Sequence, residues 1–389
     1  MNKRPASGTG HSVLRRSTRR QILGAAAGAT AALCGCLDEN GPDRTEPLDT
    51  SIGGVATYRY GPQRRGVADT TVPETAPDER WRLDTDWPVR AAPAVVDGVV
   101  YHCGNGLAAV DAVDGERLWR VDTDGPSETP PAVADGVVFA GTHRGRLHAI
   151  GSDGTEHWTA SGNGRIDAAP VVVDGRVYTA SRATNGEVYA FEAGGRGWTH
   201  EAVYRVNSPP AVADGLVFVG GWEGAVYGID ADSGERQWRT ATDGPVLSSP
   251  AVADGRVFVG GNDGVVRALD VADGDERWQV ETAATPTAPA VADGSLYVGD
   301  ADGRLRRLDA ATGEEGWQVT VASGIGVPPT VVDGAVVVGT TDGGVVAVDA
   351  ADGTERWRVD TGERIRSQPV LAAGRVFVGS GRRLLALGE

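Results

Sequence analysis

Apolar and polar positions between Ser249 and Trp278 alternate: Val252, Val257, Val259, Val265 and Leu269 fall where half-buried strands place core-facing residues. Asp254-Gly255, Asp263-Gly264 and Asp273-Gly274 break the alternation at positions suited to tight hairpin turns. Four short strands joined by three turns, one antiparallel sheet, are predicted for this stretch.

The same pattern recurs along the chain. The first-turn aspartate, followed by glycine, stands at Asp97, Asp135, Asp174, Asp214, Asp254, Asp293 and Asp333, with Ala373-Gly374 as an eighth copy, in steps of 38 to 40 residues. A repeat of about 40 residues holding four strands is the signature of a β-propeller blade. Tryptophans keep the same spacing, at Trp81, Trp119, Trp158, Trp198, Trp238, Trp278, Trp317 and Trp357, but Trp81 precedes the first turn and none follows the last. A ring explains this offset. An N-terminal strand around Glu79 to Asp84, carrying Trp81, supplies the outer strand of the eighth blade and leaves no open sheet edge. The expected fold is all-β, an eight-bladed propeller of four-stranded antiparallel blades over residues 57–389. Its innermost strands begin after Pro93, Pro131, Pro170, Pro210, Pro250, Pro289, Pro329 and Pro369.

Composition agrees with one turn-rich ring and leaves no room for a second domain: 56 glycines and 6% aromatic residues in 389. The formal charge is −16, and the first 35 residues hold six basic side chains and no acid, so their removal would leave −22. Lys3 is the only lysine. Arginine in place of lysine on a strongly acidic surface reads as salt adaptation, because self-repulsion is muted where the screening length is about 3 Å. That charge argues against nucleic acid as a partner, and the missing lysine removes P-loop and Schiff-base chemistry. Cys103 is the one cysteine within the ring, so rigidity has to come from packing between blades; a monomer is expected.

Thr18-Arg19-Arg20-Gln21-Ile22-Leu23 and the alanine-rich run that follows read as a twin-arginine signal peptide over residues 1–35. It ends in Leu33-Cys34-Gly35-Cys36, which resembles a lipobox, with Cys36 as the lipidated residue and Cys34 where a small residue is usual. Residues 36–56, rich in Asp, Pro, Gly and Thr, form the expected flexible tether. The chain is therefore expected to be exported and anchored by lipid at the cell surface, touching the membrane only through that anchor. Tyr58 to Ala76 is non-periodic and is expected to be an ordered lead-in packed on the ring.

The turn before each outer strand reads Ala109-Val110-Asp111-Ala112-Val113-Asp114-Gly115-Glu116-Arg117-Leu118-Trp119 in the first blade, with close copies elsewhere. This pattern resembles the tryptophan-docking repeat of the pyrroloquinoline quinone (PQQ) enzymes and of the eight-bladed lipoprotein of the bacterial outer-membrane assembly machine. Shortened turns at Gly151 to Gly154 and Glu192 to Gly195 are expected to alter one edge of the second and third blades without opening the ring. The resemblance implies that the eight tryptophans dock blade on blade. It also implies two functional classes: a non-enzymatic binding scaffold, or a PQQ-dependent oxidoreductase holding calcium and quinone with channel carboxylates and stacking the quinone on paired cysteines. Cys103 has no paired neighbour, and neither PQQ nor a metal is expected.

No catalytic site is expected. His102, His143, His148, His157 and His200 lack metal-ligand spacing and read as scattered surface residues, and Cys103 reads as a small apolar residue near a strand end. Recognition is assigned to the loops at the channel mouth. Three residues before each inner-strand proline stand Arg90, Glu128, Asp167, Asn207, Leu247, Pro286, Gly326 and Arg366, polar on five consecutive blades once the ring is closed. Arg165, Arg205 and Arg364 lie two residues earlier, and Trp87 and Trp222 stand off the docking repeat. These residues are read either as neutral drift in exposed loops or as a one-sided crescent for a protein, peptide or polar small molecule. Glu128, Asp167 and Asn207 also offer oxygen ligands for calcium.

Overall fold

A computed structural model describes residues 57–389 apart from 194, 203 and 207. The expected leader, the lipidation site Cys36 and the tether lie outside the described residues, as does Asn207.

The first blade shows how alternation becomes a sheet. Its innermost strand β3 (Ala94–Val96) turns through Asp97-Gly98 into β4 (Val99–Gly104), then β5 (Gly106–Asp111) and the outer β6 (Arg117–Val121), in the order β3-β4-β5-β6. Asp97 and Gly98 both have positive φ, 48° and 77°, and the aspartate keeps that conformation in all seven copies, with Ala373 adopting it in the eighth. This is the geometry of a two-residue hairpin turn that matches strand twist. Seven further four-stranded antiparallel sheets follow, each innermost strand starting directly after the expected proline. Neighbouring innermost strands contact one another around the whole ring, the eighth touching the first.

Closure by the N-terminus is also as expected. Strand β2 (Asp78–Asp84) pairs antiparallel with the last strand, Arg383–Gly388, as the outer strand of the eighth blade, and Trp81 packs against Phe377 of that blade at 6.0 Å.

The docking repeat has a physical basis in each part. Within the turn, the aspartate takes backbone N–H groups on its side chain, as in Val113 N to Asp111 Oδ1 at 2.6 Å. The glycine is required because the tryptophan of the preceding blade lies on it: a Cβ on Gly115 would stand 2.7 Å from the Trp81 ring, and one on Gly274 2.5 Å from Trp238. The indole N–H then donates across the seam, Trp81 to Ala112 O at 3.0 Å and Trp238 to Val271 O at 2.9 Å. The eighth blade has no such turn, and the lead-in supplies the acceptor: Trp357 donates to Pro73 O at 2.8 Å.

The lead-in is ordered and packs on the ring, as expected, and its first part, to Ala68, arcs around the inside of it. The second residue of each innermost strand in blades 4 to 7, Val212, Val252, Val291 and Val331, donates its N–H to Pro62, Gln63, Arg65 and Gly66 in turn, each at 2.8 Å. Strand β1 (Val67–Ala68) then runs parallel to the innermost strand of blade 7. Leu371 of blade 8 donates to the Tyr60 hydroxyl at 2.7 Å. Two arginines complete the plug. Arg64 is fully buried and donates to Pro210 O, Ala169 O and Pro170 O at 2.9 Å each, and Arg59, 1% exposed, donates to Ser249 O and Pro289 O. Burial pulls the two guanidinium groups down to about 9 and about 10, so both stay charged at neutral pH. The carbonyls at the heads of the innermost strands carry partial negative charge, and the two cations satisfy them where water is excluded.

Candidate functional site

The ring has two unlike faces. The Asp-Gly turns and docking turns form the lower face, and the other two loops of each blade form the upper. On the upper face one hydrogen bond recurs and fixes the mouth. In blades 2 to 7 the residue eight past the Asp-Gly aspartate donates its N–H to the loop preceding the innermost strand of its own blade, as in His143 to Pro126 O, Arg182 to Arg165 O, Trp222 to Arg205 O and Asn262 to Pro245 O.

Those paired loops bring most of the expected crescent together. Glu128 accepts from Trp87 Nε1 at 3.3 Å, lies 3.5 Å from Arg90 Nε, and sits 3.5 Å from His143 Nε2. His143 in turn is 3.7 Å from Asp167 Oδ1 and 2.6 Å from Arg165 Nη2. Asp167 also takes Arg165 Nε at 3.2 Å and Arg182 Nη1 at 3.8 Å. The Arg182 guanidinium stands over the Trp222 ring at 5.5 Å, and that of Arg205 over Tyr204 at 5.6 Å. A continuous ridge thus runs from Trp87 to Tyr204. Four guanidinium groups in it face two carboxylates, a local positive excess on an acidic protein. Trp87 and Tyr204 are 39% and 43% exposed, so the ridge ends in apolar surface.

Arg364 and Arg366 are exposed on the eighth blade's upper loop, outside this chain of contacts. A Cβ on Gly326 would lie 3.6 Å from Arg364 Nη2, so that guanidinium leans over blade 7. Across the mouth, Leu247, Pro286 and Gly326 line a shallow uncharged funnel of about 340 Å³ whose walls also include Tyr58 of the lead-in, Ser248, Asn262 and Thr285. The upper mouth is charged on one side, and on the other it opens on a funnel without charged walls.

His143, Arg182 and Tyr204 were not among the expected site residues. The signal for two of them is the register that marks Trp222: eight past the Asp-Gly aspartate stand Asn105, His143, Arg182, Trp222, Asn262, Ala301, Thr341 and Gly381. The reading of all five histidines as surface residues is corrected for two. His148 is 4% exposed, held between Asp124 at 3.1 Å and Glu156 at 3.2 Å, and His102 is 8% exposed. Cys103 is buried, and burial pushes its thiol up to about 12. It stands where six blades have glycine. There, as at Gly141, a Cβ would strike an aliphatic side chain such as Ile166 at 2.5 Å, whereas the residue at the position of Ile166 in the loop facing Cys103 is the small Ser127.

The carboxylates expected to offer calcium ligands are bonded to cations. Among the described residues no three His, Cys, Asp or Glu side chains converge as metal ligands, and the charged guanidinium groups of Arg59 and Arg64 at the axis oppose a cation there.

Fold and docking repeat together define a PQQ-like eight-bladed propeller. The family model described as outer membrane protein assembly factor BamB matches residues 76–129, 104–193, 184–325 and 301–388, and the chain belongs to that PQQ-like repeat family. Among solved structures, BamB from Moraxella catarrhalis is similar at 16% identity and a TM-score of 0.70, over 80% of this chain and 100% of that one. The quinohemoprotein alcohol dehydrogenase of Comamonas testosteroni is similar at 16% identity and 0.73, over 88% and 81%. A computationally designed protein, Ika8, gives 17% and 0.73, over 80% and 100%. No curated protein matches the sequence.

Proposed function

We propose that this chain is an exported, lipid-anchored, non-enzymatic propeller that binds a protein segment at its upper mouth, at the surface of a salt-adapted cell. The observation that carries the reading is the two-sided mouth: a ridge of stacked and paired arginines from Trp87 to Tyr204, opposite the funnel walled by Leu247 and Pro286. Such a surface suits an extended segment with carboxylates at one end and apolar residues at the other, because exposed guanidinium groups favour carboxylates and aromatic rims supply contact area. The assembly-factor description of the matching family supports a protein partner. The leader and Cys36 support export and anchoring, and the −16 charge with a single lysine supports salt adaptation.

A second reading, a PQQ-dependent oxidoreductase, is favoured by the similarity to quinohemoprotein alcohol dehydrogenases. Purified protein titrated with PQQ and calcium separates the two. The scaffold reading expects no stoichiometric uptake and no dye-linked alcohol or sugar oxidation; uptake with turnover would establish the enzyme. Cys36→Ser is expected to move the protein from the membrane fraction to the medium, and a variant that stays in the membrane fraction would remove the lipid anchor from the reading.

A further inference from the structure

The described chain begins at the upper mouth and leaves it downward. The Thr57 carbonyl accepts the N–H of Tyr60 at 3.0 Å, and Tyr58 stands in the wall of the funnel. Arg59 and Arg64 hold this turn to the carbonyls of Ser249, Pro289, Ala169 and Pro210, all in upper loops just before innermost strands. β1 then runs parallel to Thr330–Val332, from the upper face toward the Asp333 turn. The chain emerges below, where Thr70 Oγ1 takes the N–H of Gly374 at 3.2 Å and Pro73 O takes the Trp357 indole. The axis is therefore threaded from top to bottom, and whatever precedes Thr57 joins the ring inside its upper mouth.

Twenty residues separate Cys36 from Thr57. A chain of that length reaches at most ~70 Å when fully extended, and a coil of that length averages about 25 Å end to end. To bring the lower face to a membrane that holds Cys36, the same residues would have to climb out of the mouth, cross a blade and descend its outer strand. Three inter-strand steps of ~4.8 Å and about six residues at ~3.3 Å make that detour roughly 35 Å before the lower face is cleared. The upper-face route needs none of it. Charge acts in the same direction: the lower face carries the seven aspartates of the Asp-Gly turns as well as the acidic docking turns, whereas the ridge brings four guanidinium groups to two carboxylates. An anionic membrane surface repels the first more than the second, and where salt screens that repulsion the length constraint remains.

We propose that the upper mouth faces the bilayer and that its partner is a short extramembrane segment of an integral membrane protein, presenting carboxylates to the ridge. This orientation rests on the lipid anchor read at Cys36 and adds the side of the ring that the anchor selects. The gap decides the size of the partner. A 100-residue domain, with a radius of gyration of ~13 Å, is roughly 35 Å across, more than the ~25 Å that a 20-residue coil averages, whereas a loop leaving the membrane fits beneath the ring. Anchor and recognition surface then share one face, since the exposed guanidinium groups and aromatic rims lie around the mouth that the chain enters.

The test uses the full lipid-modified chain in vesicles, with one exposed alanine at a time replaced for labelling: Ala301→Cys on an upper loop, or Ala272→Cys in a lower docking turn, Cys103 being buried. A donor dye at each, with acceptor-labelled lipid in the vesicles, is expected to transfer energy from position 301 and to lose most of that transfer at position 272. A photo-crosslinker at the same two positions in native membranes is expected to trap, from 301 only, a peptide that adjoins a membrane span of an integral membrane protein. Equal or stronger transfer from 272 would overturn the orientation while leaving the anchor intact. Cys36→Ser reads the anchor separately: a variant that fractionates as the parent does would remove anchor and orientation together. Transfer from 301 with adducts that map to lipid alone, or to a folded soluble domain, would overturn the partner assignment.

Discussion

On the side of blades 4 to 7 the axis is filled by the chain's own lead-in, whose carbonyls take the N–H of four successive innermost strands, and above blades 5 to 7 the mouth opens on a funnel with no charged residue in its walls. On the side of blades 1 to 3 the lead-in's carbonyls take none of the corresponding N–H groups among the described residues, and the loops above carry the charged ridge. The same repeat builds both halves. The difference teaches that here arginine has two separable uses. Arg59 and Arg64, buried against carbonyls, hold blades together; Arg90, Arg165 and Arg182, at the mouth, leave part of their surface to solvent and a partner.

The largest expected effect breaks the ring that both halves share. Deleting Glu79 to Asp84 removes the outer strand of blade 8 together with Trp81 and its docking contact, and exposes the edge of Arg383–Gly388. Loss of cooperative unfolding, with aggregation, is expected in denaturant titration; an unchanged midpoint and slope would refute closure by this strand. Next, Arg64→Met should cost about 3 kcal/mol or more, because it leaves several buried carbonyls without donors. Arg366→Met, at an exposed loop, should stay within ~0.5 kcal/mol in the same urea titration. Equal costs for the two would erase the distinction drawn between axis and mouth.

Acid separates the halves at a smaller scale. Burial pushes the His102 imidazole down to about 4 in the folded protein, below the ordinary value near 6.5, so the unfolded chain binds that proton first. Stability linked to His102 is therefore present above pH ~6.5 and falls as the pH drops toward ~4, by up to about 3 kcal/mol. His102→Val should lose less stability than the parent between pH 7 and pH 4 in urea midpoints, and parallel curves would show that His102 titrates normally.

Much of the ring was legible because each blade repeats one solution. Alternating valines, a turn needing positive φ at Asp97-Gly98 and a glycine under each tryptophan recur eight or nearly eight times, so chance lapses such as Ala373 do not hide the period. The plug was not legible. Its bonds run through the main chain of Pro62 to Gly66, which any sequence could offer, and a buried Arg64 reads like a surface arginine until its neighbours are known. At the mouth, counting back from the prolines found Arg90, Glu128 and Asp167 but scanned only one of the two loops that meet there; His143 and Arg182 come from the other. His102 stood out against five valines in its register, and treating the histidines as one scattered class concealed it.

The smallest expected change in stability belongs to the residues with the largest expected change in binding. Arg90 is half exposed and lies 3.5 Å from Glu128, a separation at which solvent-exposed pairs contribute at most ~1 kcal/mol, and Arg366 is exposed on the neighbouring blade. Replacing both with alanine should leave thermal unfolding nearly unchanged while removing the positive charge from the seam-side end of the ridge. Trp87 and Glu128 would remain in contact, so the loops keep their shape and the loss is one of charge. Cross-linked recovery of partner from membranes at high salt, compared between parent and double variant, is the measurement. Loss of the partner with an unchanged melting curve would place recognition on the charged half. Full recovery by the double variant, with loss instead on substituting the lower-face turn at Asp254-Gly255, would move the interface to the opposite side of the ring, because that turn lies among the Asp-Gly hairpins and touches none of the ridge residues.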